Sequence, residues 1–462
     1  MLRWTNRGLC GGLAAVVAAC YLPSALAAPG DHIRLGNAVL VPSATTGFEY
    51  HSNLYLADGD EQAEFGGLAW TLKPELELML KNDKVMFDLG VGWGIKKFFD
   101  FNPDDEIFPE NADRFSDFNA TLGLNALPTG VVGFRLENKF EVQNTPSELP
   151  TSKESANTVH LSNDANGGIV LRPGSALEVA LLGNVGVDRY TLPAALAEAS
   201  DTEANVNNRV SYGPVVNASW KFLPKTSLVG SFSMNWTDWE NNLITSIGPE
   251  AEGVEYGQYL GKPNALAWRT MWGVRGQFTQ KLAAGAEIGF GQMYYDEQSV
   301  IDAAGGISGS SADIETVGEN TFARDLTSFS EGLLINAQIA YAPIRNHKVT
   351  FGYRKDFQDA FFTNYVAYNY LFLRYEGLAL DRLGLTGEVT YRIDAFHGEI
   401  TRDDQNVALK AGAAWQFNKV LSSGAAVGWN RRACLDAQCE NGVFYATQYD
   451  DVWATLGATV TY

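Results

Sequence analysis

Hydrophobic and polar residues alternate with a period of two through long stretches of the chain, the signature of strands with two unlike faces. Between Lys84 and Phe98, Val85, Phe87, Leu89, Val91, Trp93 and Ile95 alternate with Asp88, Gly90, Gly92, Gly94 and Lys96. Between Val131 and Val142, Phe134, Leu136, Phe140 and Val142 alternate with Arg135, Glu137, Lys139 and Glu141. From Asn406 to Phe417, Val407, Leu409, Ala411, Ala413 and Trp415 oppose Lys410, Gly412, Ala414 and Gln416. Such runs exceed the five or six residues usual in a soluble sheet and fit a tilted membrane crossing that extends beyond the bilayer. The charged face must meet water.

The spacing between runs alternates. Tight turns are predicted at Lys81-Asn82-Asp83, Pro128-Thr129-Gly130, Pro173-Gly174-Ser175, Pro224-Lys225, Gln280-Lys281, Pro343 to Asn346, Gly377 to Asp381 and Asn418-Lys419. Longer polar stretches separate them, among them Phe99 to Arg114, Asn144 to Ala156, Asn241 to Gly261 and Val300 to Thr327. Counting from a first strand near Thr45 to Leu56 to a last one ending at Tyr462 gives about 18 strands, an even number, as in single-chain bacterial barrels. The expected fold is all-β: a single transmembrane, antiparallel, up-and-down β-barrel with both termini periplasmic. Long loops then face outward, including Asp58-Gly59-Asp60-Glu61 and Asp104-Asp105-Glu106. These acidic segments are either solvated loops or calcium ligands.

The first residues sharpen that reading. Arg3 and Arg7, an apolar run from Leu9 to Ala19 and the small-residue site Ala25-Leu26-Ala27 predict a signal peptide over residues 1–27. Val17-Ala18-Ala19-Cys20 offers the competing reading of lipidation at Cys20. A periplasmic segment is expected over 28–43 and the barrel over 44–462, in the outer membrane and in contact with its lipids. Beyond residue 27 no run approaches the ~20 apolar residues that a spanning helix needs. Aromatic residues at 12%, 46 Gly and only 16 Pro, with a mean hydropathy of -0.12, agree with lipid-facing and water-facing side chains in alternation. A net charge of -20 without a basic cluster argues against nucleic-acid binding.

Little chemistry of the catalytic kind is visible. The five histidines are scattered without an HExxH pair, and no Gly-x-Ser-x-Gly elbow appears. The chain therefore reads as a non-enzyme without cofactor or metal. Cys434 and Cys439 lie close together in a loop segment and are read as a disulfide. With the apolar sides of the strands toward lipid, the lumen receives Lys96, Arg135, Lys139, Arg269, Arg275, Arg354, Arg374, Arg392 and Lys410, together with acids such as Asp88, Glu137, Glu141, Glu178, Glu287 and Glu388. A barrel of this size is wide enough for an aqueous channel. Its basic residues either favour anionic solutes or pair with neighbouring acids and stiffen the wall. Tyr368, Tyr370 and Phe372 share the inward parity of Arg374 and are candidates for stacking on sugars.

Three segments carry resemblances. Thr455-x-Gly457-x-x-Val460-x-Tyr462 resembles the C-terminal β-signal read by the outer-membrane assembly machinery. Gly47-Phe48-Glu49-Tyr50-His51-Ser52-Asn53-Leu54-Tyr55 resembles the opening strand of β-barrel porins associated with exopolysaccharide export systems, with His51 where that family has an acidic residue. Gly352-Tyr353-Arg354-Lys355-Asp356-Phe357, followed by Phe361-Phe362-Thr363-Asn364-Tyr365 and Tyr368, is similar to their late aromatic hairpin. The family resemblance implies a pore that exports exopolysaccharide to the cell surface, with polysaccharide as cargo and a periplasmic polysaccharide export protein as partner. The alternative is a general or anion-preferring porin for small solutes.

Overall fold

A computed structural model describes residues 32–53, 66–99, 114–143, 159–191, 208–240, 244–245, 264–295, 299–301, 307–310, 329, 332–360, 364–397, 401–435 and 448–462. The alternating runs become long strands. In chain order they are β1 (Ala38–His51), β2 (Gly67–Lys81), β3 (Val85–Phe98), β4 (Arg114–Ala126), β5 (Val132–Gln143) and β6 (Val159–Leu171). Next come β7 (Leu177–Thr191), β8 (Arg209–Leu223), β9 (Thr226–Trp239), β10 (Ala265–Gln277), β11 (Leu282–Tyr295) and β12 (Leu333–Tyr341). The last are β13 (His347–Asp359), β14 (Tyr365–Ala379), β15 (Leu383–His397), β16 (Arg402–Gln416), β17 (Leu421–Cys434) and β18 (Tyr449–Thr461).

Neighbours in sequence pair antiparallel, and β18 pairs with β1 from Ser43↔Thr461 to His51↔Trp453, so the sheet closes into the expected barrel of 18 strands. Closure satisfies the backbone around the wall and leaves no open edge, the condition for strands in hydrocarbon. Among the described residues there is no helix. A three-residue strand, Ile33–Leu35, pairs with Ala38–Leu40 at the start of β1. Ile244–Thr245, Ser299–Ile301 and Ile307–Ser310 form a separate small sheet between two of the connections.

The predicted tight turns all lie at one end of the barrel, at residues 82–84, 127–131, 172–176, 224–225, 278–281, 342–346, 380–382 and 417–420. Side chains fix several of them. Asn82 Oδ1 accepts hydrogen bonds from the amides of Lys84 and Val85 at 2.9 and 2.7 Å, and Asn418 Oδ1 does the same for Val420 and Leu421 at 2.8 Å each. These are the local bonds by which Asn competes with a continuing strand. His32 and Tyr462 lie at this end too, where the His32 ring nitrogen is 3.1 Å from the Tyr462 carbonyl oxygen. The opposite end carries the long connections, although those at 360–364 and 398–401 are short.

The outer face is apolar. Ile288, Leu373, Val389, Val427 and Leu456 expose a band of aliphatic side chains at mid-strand. Aromatic side chains flank that band, with Tyr50, Trp93, Phe118, Tyr212 and Tyr294 exposed toward the long connections and Phe134, Trp220, Phe222, Phe278, Tyr341 and Phe417 toward the tight turns. Two aromatic girdles around an aliphatic belt are the exterior of a membrane-spanning barrel of the outer-membrane type. The protein is an outer-membrane β-barrel.

The structure corrects one boundary. β1 begins at Ala38, upstream of the expected start near Thr45 and inside the segment expected to precede the barrel, and it ends at His51. Pro42 interrupts the sequence pattern, since proline supplies no ladder hydrogen bond. Its position explains the tolerance: opposite Leu76 of β2, Pro42 turns its carbonyl to the Tyr462 amide at 3.0 Å, so its nitrogen faces the residue just past β18 and takes no bond from the β1–β2 ladder. The signal-peptide residues, Cys20 and the two acidic loop segments lie outside the described residues.

β12 is also unusual, with nine residues where most barrel strands have 13 to 15. Its pairing with β13 ends at Ile335↔Lys355. Beyond that point, Phe329, Met293, Leu334, Phe357 and Tyr365 form a buried cluster, with the rings of Phe329 and Phe357 stacked at 4.3 Å. Phe329 still exchanges backbone hydrogen bonds with Met293 of β11 at 3.1 and 3.2 Å, while its ring packs on Phe357 where the β12–β13 ladder has ended.

Candidate functional site: the inner wall

Two ion pairs identify the inner face. Arg209 of β8 lies 3.3 Å from Asp359 of β13, and Arg269 of β10 lies 3.1 Å from Asp356 of β13. These partners are five and three strands apart, so their contacts run through the interior. Five strand spacings of about 4.8 Å would separate β8 and β13 by more than ~20 Å on a round wall. The salt bridge therefore marks a pinch at the long-connection end. Side chains that alternate with the exposed apolar belt share this inner face.

Of the nine basic residues named as candidates for that face, most meet acids. Lys96 bonds Glu49 at 2.6 Å, Arg135 approaches Glu178 at 3.8 Å, Lys139 bonds Glu141 at 2.6 Å and Arg374 bonds Glu388 at 2.6 Å. Arg269 and Arg392 pair with Asp356 and Asp394. Arg275 sits one strand from Glu287, on β10 and β11. Arg354 is the register partner of Tyr370. Lys410 places its ammonium 5.5 Å from the centre of the Trp453 ring. The aromatic stripe of β14 lies among these cations: the Arg392 guanidinium stands 4.3 Å over Tyr368, that of Arg374 is 5.8 Å from Phe372, and the rings of Tyr370 and Phe372 are 5.7 Å apart. Gly352, the register partner of Phe372, has no side chain because a Cβ there would overlap that ring.

Register turns these residues into rows. Reading across β13 to β17, Arg354 pairs with Tyr370, Tyr370 with Arg392, Arg392 with Asn406 and Asn406 with Arg432. This row contains cations and neutral polar groups and no acid. The next inner-face row toward the long connections is Asp356, Tyr368, Asp394 and Asp404. Acids thus stand directly beside arginines along one wall. Asn406 donates to Asp394 at 2.7 Å. Asp404, fully buried, receives Arg402 at 2.9 Å and both the Nε and an Nη of Arg432. With Arg269 and Arg402 included, five guanidinium groups face three carboxylates, so the wall is net basic.

A second charged network closes the seam. His51 bridges Glu49 at 2.7 Å and Asp451 at 2.9 Å, while Glu49 also accepts from Lys96. On the opposite arc, His160 contacts Asp188 at 2.9 Å and stacks on Tyr190, and Arg209 bonds the same carboxylate at 2.7 Å. Every carboxylate in these networks has a cationic or amide partner, as buried charge requires.

Sequence parity alone missed Trp453, Asp404, Arg402, Arg432, His51 and Arg209. Parity marks each as inward once its strand is known, but their grouping depends on register between strands. Cys434 is disulfide-bonded, and Cys439, its expected partner, lies outside the described residues. No group of three or more potential metal ligands occurs among the described residues.

No family model matches the chain, and no curated protein matches it in sequence. Among solved structures it is similar to the outer membrane protein opdK from Pseudomonas aeruginosa, at 11% identity and a TM-score of 0.42, covering 92% of this chain and 99% of that one. It is similar also to a BenF-like porin from Pseudomonas fluorescens Pf-5, at 10% identity and 0.45, covering 93% and 100%. The FrpB iron transporter from Neisseria meningitidis aligns at 7% identity and 0.48, covering 95% and 82%. The barrel itself is established by its own strand pairing.

Proposed function

We propose that this protein is a passive outer-membrane pore for small hydrophilic solutes, with the β13–β17 wall favouring anions, and with the tight turns and both described termini on the periplasmic side. The observation that carries the reading is the row Arg354–Tyr370–Arg392–Asn406–Arg432, which runs across five adjacent strands of the inner face without an acid. Fixed charge along a lumen sets the barrier for permeating ions. The paired acids of the neighbouring row hold the guanidinium groups in place, so the wall stays charged without collapsing into the channel. Lys96, Arg135, Lys139, Arg269, Arg275, Arg374 and Lys410 complete the proposed lining. Reconstitution of the purified barrel in a planar bilayer tests this: discrete ion conductance is expected, and an electrically silent protein rejects it.

A second reading, export of exopolysaccharide, is favoured by one particular feature. Tyr368, Tyr370 and Phe372 set a stripe of rings along β14 beside Arg374 and Arg392, and aromatic faces beside cations suit a sliding sugar chain. In that case a periplasmic export protein docks at the tight-turn end and β18, through Thr455 to Tyr462, is the segment read by the assembly machinery. Deleting the gene and measuring polymer in surface and periplasmic fractions decides it: surface polymer must fall, and unchanged surface polymer excludes export.

A further inference from the structure

A cavity of about 400 Å³ indents the inner wall where β15 to β18 meet β1, lined by Glu49, His51, Glu388, Lys410, Asn430 and Trp453 among others. Its volume falls within the ~300–1,000 Å³ of small-molecule sites. Trp453 forms its flat surface. The indole lies over Gly428, its register partner on β17, where a Cβ would overlap the ring, so the wall is shaped to hold the ring against itself.

The charges of this cavity are unequal in their compensation. Glu49 is held by His51 at 2.7 Å and Lys96 at 2.6 Å, Glu388 by Arg374 at 2.6 Å, and His51 also by Asp451 at 2.9 Å. The Lys410 ammonium, half a nanometre above the indole at 5.5 Å, makes no ion pair with a described residue. A cation left over beside an aromatic face, ringed by hydroxyl-accepting carboxylates and an amide, asks for a ligand with one negative group, one C–H-rich face and several hydroxyls. The electron-rich face of the indole attracts the partially positive C–H face of a pyranose, and an ammonium binds a carboxylate by charge-assisted hydrogen bonds.

We propose that this cavity is a uronate subsite, with the sugar face on Trp453, its carboxylate on Lys410, and its hydroxyls donating to Glu49 and Glu388 and accepting from Asn430. The subsite rests on the pore reading, since a ligand reaches it through the lumen. It is tested on the full-length barrel in planar bilayers with glucuronate, glucose and a short oligouronate, and separately by calorimetry in detergent. Glucuronate is expected to block current and bind at least about tenfold more tightly than glucose, the scale of one charge-assisted hydrogen bond. Lys410→Gln should remove that preference, Trp453→Ala should weaken both sugars, and Trp453→Phe should retain most of the binding. Tighter binding of the oligomer than of the monomer identifies a polymer as the source of the uronate, and equal binding identifies the free sugar. Glucuronate binding that is absent, or that survives both Lys410→Gln and Trp453→Ala unchanged, overturns the subsite. A barrel that binds glucuronate yet carries no current overturns the pore reading instead.

Discussion

Asp404 shows at the scale of a single residue how charge is built into this wall. Its carboxylate is fully buried between two nearly buried guanidinium groups, Arg402 and Arg432. Removing one partner of such a cluster leaves charge buried without compensation, at a cost of about 3–5 kcal/mol. Asp404→Asn is therefore expected to lower the stability of the detergent-solubilised barrel by about 3 kcal/mol in denaturant titration; stability equal to the parent would show that the arginines find other partners or water. Individual inward residues of this kind were partly legible in the sequence. The parity of Arg374, Arg392 and Tyr368 follows from alternation within each strand, and the Arg392 guanidinium stands 4.3 Å over the Tyr368 ring. Trp453 was not singled out, because its neighbours, Gly428 and Lys410, come from strands whose register no single sequence states.

At the scale of elements, the instructive segments are those where alternation breaks. β1 starts at Ala38, upstream of the expected Thr45, and runs through Pro42, whose carbonyl accepts from the Tyr462 amide at 3.0 Å. In β13 both Asp356 and Phe357 are buried, a break in parity that follows from the early end of β12: Phe357 turns to cover the place where ladder pairing stops. The pinch between β8 and β13 depends on Arg209 and Asp359, 150 residues apart, and no local pattern encodes such a contact. Its consequence is measurable. Asp359→Asn should release Arg209 and raise single-channel conductance, with a larger increase at low salt, where charge pairs are screened least. Conductance identical to the parent at every salt concentration would place the narrowest point elsewhere.

The whole molecule was the most legible scale. Strand number, up-and-down order and the single end that gathers the tight turns all follow from period-two alternation and turn chemistry, because a closed antiparallel barrel repeats one rule 18 times. Orientation in the membrane is the next prediction at this scale. A cysteine introduced at Lys225, in a tight turn, with Cys434 and Cys439 replaced, should react with an impermeant maleimide only after the outer membrane is permeabilised; labelling of intact cells would invert the proposed topology.

The acid-free row Arg354–Tyr370–Arg392–Asn406–Arg432 is where lumen charge is expected to act most directly on permeating ions. The reversal potential of the reconstituted pore in a potassium chloride gradient reads its anion-to-cation permeability ratio. Replacing Arg354 and Arg392 together with glutamine is predicted to lower that ratio several-fold, on the order expected for fixed lumen charge, while leaving the barrel folded and conducting. An unchanged reversal potential in a conducting double variant would contradict the claim that this row sets the traffic through the lumen.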